Sequence, residues 1–293
     1  MFYLYPKHFH LSQWYIHRIP AVIKRELPAF PDKLLVPLEY IFNHPHKIKG
    51  LDFKVNPESV DAVLITDPTW CIFDLSPFKN ALKIYYSIDN IYETSFFHDQ
   101  LLIKIEKFDY VFTAHRKSIP DFSKMGPKTY WAPLSFDPDI NKKLNRPKDL
   151  DVSFVGNIYG ARINDIDYLK IQLANLHTFF GNAYQHDMNE IYNRSKIVLN
   201  FANKKELNYR VFEVLGSGGF LLNEYSKETF ELFENNVDLV SFFDLDELIE
   251  KVYYYLERNS ECEKISSSGH RKAEESHTIE ARMKELLTKV NLL

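Results

Sequence analysis

Short apolar runs rich in β-branched and aromatic residues recur along the chain, with polar or helically patterned stretches between them. The first half carries Ala62-Val63-Leu64-Ile65, Ile84-Tyr85-Tyr86, Tyr110-Val111-Phe112 and a shorter Tyr130-Trp131. The second carries Val152-Ser153-Phe154-Val155, Thr178-Phe179-Phe180, Ile197-Val198-Leu199, Phe220-Leu221-Leu222 and Leu239-Val240-Ser241-Phe242. Runs that are apolar throughout predict strands buried on both faces, as in a parallel sheet covered by helices. Between the two sets, residues 132–149 hold three prolines, many charges and no apolar period, which predicts an interdomain linker. Two α/β domains follow, over residues 1–140 and 141–277.

Helical spacing is clearest near the end. Asp244-Leu245-Asp246-Glu247 has the form of a capping box, and Leu245, Leu248, Ile249, Val252 and Leu256 continue as an apolar stripe. Residues 278–293 repeat the pattern with Ile279, Met283, Leu286, Leu287 and Val290, a stripe that needs a surface to bury it.

A 293-residue chain with 45% hydrophobic and 26% charged residues is a folded protein with room for a sizeable core. Its formal charge is -4, so no global positive field attracts nucleic acid or anionic lipid. Two cysteines, Cys71 and Cys262, lie far apart and outside any metal-binding spacing, which fits a reducing cytoplasm. No stretch reaches 18 apolar residues and the N-terminal run is broken by Pro6, Lys7 and two histidines, so neither a transmembrane span nor a secretory leader is expected. Six of the nine glycines fall between Gly156 and Gly219, marking a segment where backbone approaches something closely.

In parallel sheets ligands bind beyond the carboxyl ends of the strands. The residues found there are Asp67, Asp89-Asn90, His115-Arg116, Gly156-Asn157, Gly181-Asn182, Asn200 and Asn223-Glu224. Loop starts are polar in any protein, so the set carries more than its members. The segment from Glu206 to Gly219 says most. A helix capped by Asn208 turns Leu207, Val211, Val214 and Leu215 inward and places Arg210 and Glu213 on one polar face. The helix start and the guanidinium suit a diphosphate, and a carboxylate one turn on suits the hydroxyls of a ribose; the other reading is an ordinary i,i+3 surface pair. The histidine pairs His8-Phe9-His10 and His44-Pro45-His46 have no further ligands at metal spacing.

The string LNYRVFEVLGSGGFLLNE resembles the donor-binding segment of GT-B glycosyltransferases, in the group-1-like branch that includes the CgeB-like spore maturation proteins. DVSFVGNIYGAR, MNEIYNRSKIVLN, DYVFTAHR, YWAPLSFDPD, and FDLDELIEKVYYYL with His277-Thr278 and Arg282 after it agree with that branch, over roughly residues 83–290. The resemblance implies two Rossmann-like domains with mostly parallel sheets facing across a cleft, and a final helix, 278–293, packing back on the first domain. It implies transfer of a sugar from a nucleotide-diphosphate sugar to an acceptor held by residues 1–140, by a retaining and metal-independent reaction. Gly156, Asn157, Arg162, Asn208, Arg210, Glu213 and Gly218 are then the donor-binding residues, with Arg210 the main cation and Glu213 the ribose carboxylate. The chain departs from the wider pattern at Lys205, where a first glutamate is expected.

No GxGxxG or P-loop pattern occurs, which disfavours hydride cofactors and P-loop phosphoryl transfer. No cofactor is expected. The DxD sequences Asp137-Pro138-Asp139, Asp165-Ile166-Asp167 and Asp244-Leu245-Asp246 do not require a metal, since the first lies in the linker and the last is a helix cap. Asp89 is the best-placed candidate base in the first domain, with His98 and His115 behind it; an Asx-turn or cap is the other reading of Asp89. In a retaining reaction the leaving phosphate itself can take the acceptor's proton. Two other functions remain open at this level: a silent nucleotide-sugar binder, because of Lys205, and a DNA-base glycosyltransferase, against which the net acidity argues.

Overall fold

The computed structural model describes residues 58, 60–66, 75, 78–88, 105–202 and 206–293. Asp67, Cys71, Asp89, Asn90, His98, Lys205 and the histidine pairs at 8–10 and 44–46 lie outside the described residues.

The apolar runs become strands of two parallel sheets. The first sheet is β1 (Ala62–Thr66), β2 (Leu82–Ser87), β3 (Tyr110–Thr113) and β4 (Lys128–Trp131), side by side in that order. The short helix α1 (Ile119–Lys124) connects β3 to β4 and lays Phe122 against Tyr85. The second sheet comprises β5 (Leu150–Val155), β6 (Thr178–Gly181), β7 (Ser195–Asn200), β8 (Leu221–Glu224) and β9 (Val240–Phe242), in the order β6-β5-β7-β8-β9. All pairs are parallel.

Helices connect the second sheet: α2 (Arg162–Gln172), α3 (Gln185–Arg194), α4 (Tyr209–Gly216), the short α5 (Lys227–Leu232), then α6 (Leu245–Leu256) and α7 (Asn259–Ser276) beyond β9. The last helix, α8, spans Ile279–Lys289. At the start of α6 the Glu247 amide donates to Asp244 Oδ1 at 2.9 Å, while Glu247 Oε2 accepts from the Phe243 amide at 2.7 Å. That return bond falls one residue before the position a strict capping box uses.

The chain divides into two units, the described residues up to Pro133 with Met283–Leu293, and Leu134–Arg282. In the first, Val63, Ile65, Tyr85, Val111 and Phe122 form the core, and the Lys289 ammonium lies 5.4 Å from the Tyr130 ring. The second is built around Val152, Phe154, Ile197, Leu199, Leu222 and Val240, with Leu248 and Val252 of α6 packed over them.

The stretch 132–149, read as a linker, is bound into the structure by polar groups instead of an apolar period. Phe136 is buried, its amide donates to His277 O, and its carbonyl accepts from the Ile279 amide. Asn189 and Asn193 of α3 accept from the amides of Lys142 and Leu144 at 3.2 and 2.6 Å. Among the described residues no helix is long and apolar enough to cross a membrane.

Candidate functional site

Strand order reverses about β5: the chain moves outward to β6 and then returns to add β7 on the other side. A crevice opens where such a reversal occurs, beyond the carboxyl ends of the two strands flanking it. Those strands end in Val155-Gly156 and Asn200, and α4 begins nine residues after Asn200.

Arg210, in the first turn of α4, reaches into this crevice. Its Nε donates to Val155 O at 2.6 Å and its Nη1 to Asn200 Oδ1 at 2.7 Å, tying the ends of β5 and β7 together. The guanidinium carbon sits 4.6 Å from the centre of the Phe154 ring. Gly156 makes room for it: a Cβ there would come within 2.1 Å of Arg210 Nη2. The need for a close approach at this glycine is therefore met by a side chain of the protein itself.

Arg162 joins from the start of α2. Its Nη1 donates to Asn157 O at 2.9 Å, and its guanidinium carbon lies 5.5 Å from the same Phe154 ring. Two cations thus share one aromatic ring. Burial, and after it the neighbouring Arg210 charge, push the Arg162 pKa down from its ordinary value, while Tyr159, Glu224 and Asp165 push it up. Like charges gathered in a half-buried site favour an anionic guest.

Asn208 occupies the N-cap position of α4, but its side chain does not cap. It exchanges two 3.1 Å hydrogen bonds with the side chain of Asn200, and Asn200 Nδ2 also donates to Asn223 Oδ1 at 2.6 Å. The expected capping by Asn208 is replaced by a row of three asparagines across the carboxyl ends of β7 and β8. Glu213 is buried one turn along α4 from Arg210.

The structure therefore brings Gly156, Asn157, Arg162, Asn208 and Arg210 together at one crevice, with Glu213 on the same helix. Gly218 does not join them. It follows the other end of α4, ahead of the amino end of β8, with φ of +71° and a Cβ position 3.1 Å from the Lys143 side chain. A turn of left-handed backbone, which glycine adopts without strain, explains it there. The catalytic candidates Asp89 and His98 lie outside the described residues. His115 is buried, with Nε2 3.1 Å from Ile88 O.

Asn200 and Asn223, read from the sequence as polar strand ends without an assigned role, and Phe154, which the sequence did not single out, complete the site. Asn200 and Asn223 are partners in the β7–β8 register. An asparagine ending each of two buried apolar runs was the available signal.

Beside Arg162 a cavity of about 300 Å³ opens over the ends of β7, β8 and β9, lined by Tyr159, Phe201, Glu224, Phe242 and Phe243 among others. One aspartate of each DxD sequence has another partner: Asp137 Oδ1 accepts from the Asp139 amide, Asp167 pairs with Lys170, and Asp246 accepts from Tyr168.

Solved structures share this architecture. HepE of Anabaena, in complex with UDP-glucose, superposes with a TM-score of 0.60 at 13% identity over 80% of this chain and 79% of its own. Sucrose-phosphate synthase of Thermosynechococcus elongatus gives 0.58 at 12% identity over 79% and 74%. A glycosyltransferase of Rickettsia africae gives 0.54 at 13% over 79% and 76%. No curated protein sequence matches the chain. The family described as glycosyl transferase-like matches residues 140–288, the half of the chain that carries the crevice. Two parallel-sheet units and that match together establish that the chain belongs to the glycosyl transferase-like family and is a glycosyltransferase of the GT-B fold.

Proposed function

We propose that this enzyme takes its sugar from a nucleoside diphosphate sugar bound at the β5–β7 crevice. The observation that carries the reading is the pair of guanidinium groups, Arg162 and Arg210, on one Phe154 ring. In this reading the diphosphate lies on those two cations and on backbone N–H groups at the starts of α2 and α4, and Glu213 holds the ribose. The UDP-glucose bound to HepE supports a uridine diphosphate sugar as the first donor to test.

The bond between the anomeric carbon and the diphosphate oxygen breaks, and a bond to the acceptor hydroxyl oxygen forms. Negative charge grows on the departing diphosphate, and fixed cations at that position lower the barrier. We assign this work to Arg162 and Arg210, without a metal ion. With retention of configuration the proton of the acceptor passes to an oxygen of the leaving phosphate. If Asp89 is the base instead, Asp89→Asn abolishes turnover; full activity in that variant supports the phosphate. The absence of a cysteine-rich pattern supports a cytoplasmic setting.

The test is binding of UDP, GDP, ADP and dTDP, read as a rise in melting temperature with and without EDTA, for the wild type, Arg210→Ala and Glu213→Ala. Stabilisation of the wild type in EDTA by one nucleotide, weakened at least tenfold in both variants, is the expected result. Equal binding in all three proteins sinks the site, and stabilisation that disappears in EDTA sinks metal independence.

A further inference from the structure

A second cavity, of about 390 Å³, opens at the other end of the second sheet. Lys196, the second residue of β7, and Phe220, just ahead of β8, both line it, which places it at the amino end of the sheet whose carboxyl end forms the donor crevice. Along β7, Lys196 and Asn200 are four residues apart, about 13 Å. One wall is a face of α7, where Asn259, Cys262, Glu263, Ser266 and Ser267 follow helical spacing without a large apolar side chain among them.

The rest of the lining carries three lysines. Lys143 and Lys148 come from the segment ahead of β5, and Lys196 from β7. Lys196 is matched by Asp151 at 2.8 Å. Lys148 Nζ donates to Ser195 O at 2.8 Å, and described residues engage no other N–H of this ammonium group, which has three to give. Lys143 has no ion pair among the described residues, and its methylene stem lies over Gly218, 3.1 Å from where a Cβ would stand. Burial, then the Lys143 charge, push the Lys148 pKa down to about 8. Against these three ammonium groups the described lining offers one carboxylate, Glu263. Cations gathered in a recess and outnumbering the carboxylates there attract an anion.

We infer that this cavity is a second ligand site, separate from the donor crevice, that takes a small molecule of the sugar-phosphate class, its phosphate held by Lys143 and Lys148 and its hydroxyl-bearing body by the serine and asparagine side chains of α7. The volume lies within the range of small-molecule pockets, about 300–1,000 Å³, and exceeds what a bare phosphate ion fills. Hydroxyl and amide groups both donate and accept, as a polyol requires. A nucleic acid is the poorer occupant, because the lysines meet in one recess instead of forming a track and the protein as a whole carries a charge of -4. No nucleotide takes part, so this site stands or falls independently of the donor reading.

The experiment is calorimetric titration of the full chain at low ionic strength with glucose 6-phosphate, inorganic phosphate and glucose. Four proteins are compared: the wild type, the double variant Lys143→Gln with Lys148→Gln, Ser267→Trp, and Arg210→Ala. Lys143, Lys148 and Ser267 are all exposed, so their variants should melt close to the wild type. Glucose 6-phosphate is expected to bind the wild type more tightly than phosphate does, and glucose not to bind. Its affinity should fall about tenfold or more in the lysine variant, which loses its charge-assisted contacts. It should fall as clearly in Ser267→Trp, where an indole on the α7 wall takes the space, and stay unchanged in Arg210→Ala. A wild type that binds neither phosphate compound at millimolar levels overturns the site and leaves the donor reading untouched. Full binding in Ser267→Trp beside a loss in the lysine variant means diffuse attraction to a basic surface and overturns the cavity. A loss in Arg210→Ala alone moves the ligand to the donor crevice, and phosphate binding as tight as glucose 6-phosphate overturns the sugar-phosphate class. If the lysine variant fails to fold, Ser267→Trp decides.

Discussion

Asn200, at the carboxyl end of β7, accepts a 2.7 Å hydrogen bond from Nη1 of Arg210 in α4. The same amide bonds Asn208 through both its atoms and donates to Asn223. Asn200→Asp keeps the shape and changes the chemistry. The new carboxylate neutralises Arg210, and an oxygen replaces the amide nitrogen opposite the side-chain oxygens of Asn208 and Asn223. A stability loss of about 1–3 kcal/mol is expected in urea unfolding. Nucleoside diphosphate binding should weaken roughly tenfold or more by calorimetry, equivalent to one charge-assisted contact.

Gly156→Ala tests the seat of the Arg210 guanidinium directly. The added methyl would meet Nη2, the tip of a long side chain, at 2.1 Å, and would also place a side chain on backbone at φ +157°, so the guanidinium has to move and the backbone is strained as well. The expected outcome is a stability loss of about 1–3 kcal/mol from the strained backbone and, in the protein that remains folded, a clear loss of diphosphate affinity. Loss of fold instead of affinity would show that Gly156 serves the strand end alone.

Gly269 tests the packing behind the site. It lies in α7, where His270 Nδ1 is 2.9 Å from Leu215 O at the end of α4. In an open helix Gly→Ala stabilises by nearly 1 kcal/mol. Here the added carbon would stand 2.1 Å from Asp238 O, a backbone atom that cannot swing away. The sign therefore reverses: Gly269→Ala should destabilise by about 1–3 kcal/mol, read as a lowered urea midpoint with an unchanged slope.

His277 supplies a pH dependence. It packs on Phe212 and Phe233 with ring centroids 5.5 and 4.9 Å away, and Arg282 Nη2 lies 3.2 Å from its Nδ1. Burial, then the charges of Arg282 and Lys272, push its pKa from 6.5 down to about 4. Between those values the unfolded chain binds the proton that the folded chain refuses, so stability rises with pH through the window. The contribution is full above pH 6.5 and lost as pH falls towards 4, with a ceiling of about 3 kcal/mol. Unfolding midpoints measured from pH 4 to 8 should show this slope in the wild type and a flatter one in His277→Phe.

The helix that frames the site was legible because Leu207, Val211, Val214 and Leu215 record its buried face, and all four are buried. The helix α7 was not read in the sequence, although it is 18 residues long. Its buried positions are Ile265, Gly269 and Ala273, spaced four apart, and two of the three are too small to register as an apolar stripe. Close packing on Asp238 and Leu215, not bulk, holds it in place. The segment 132–149 was misread for a related reason: amides paired by Asn189 and Asn193 leave no hydrophobic period behind them.

By itself the sequence determined the two sets of parallel strands, the start of α4 and the pairing of Arg210 with Glu213 on one helix, because apolar spacing is a local record of which face meets the core. Only the tertiary structure decided that Arg210 binds Val155 and Asn200, that Asn208 bonds sideways instead of capping, and that Gly218 stands away from the crevice. A polar group's partner is whatever the fold carries across to it from another element, and spacing along the chain holds no trace of that.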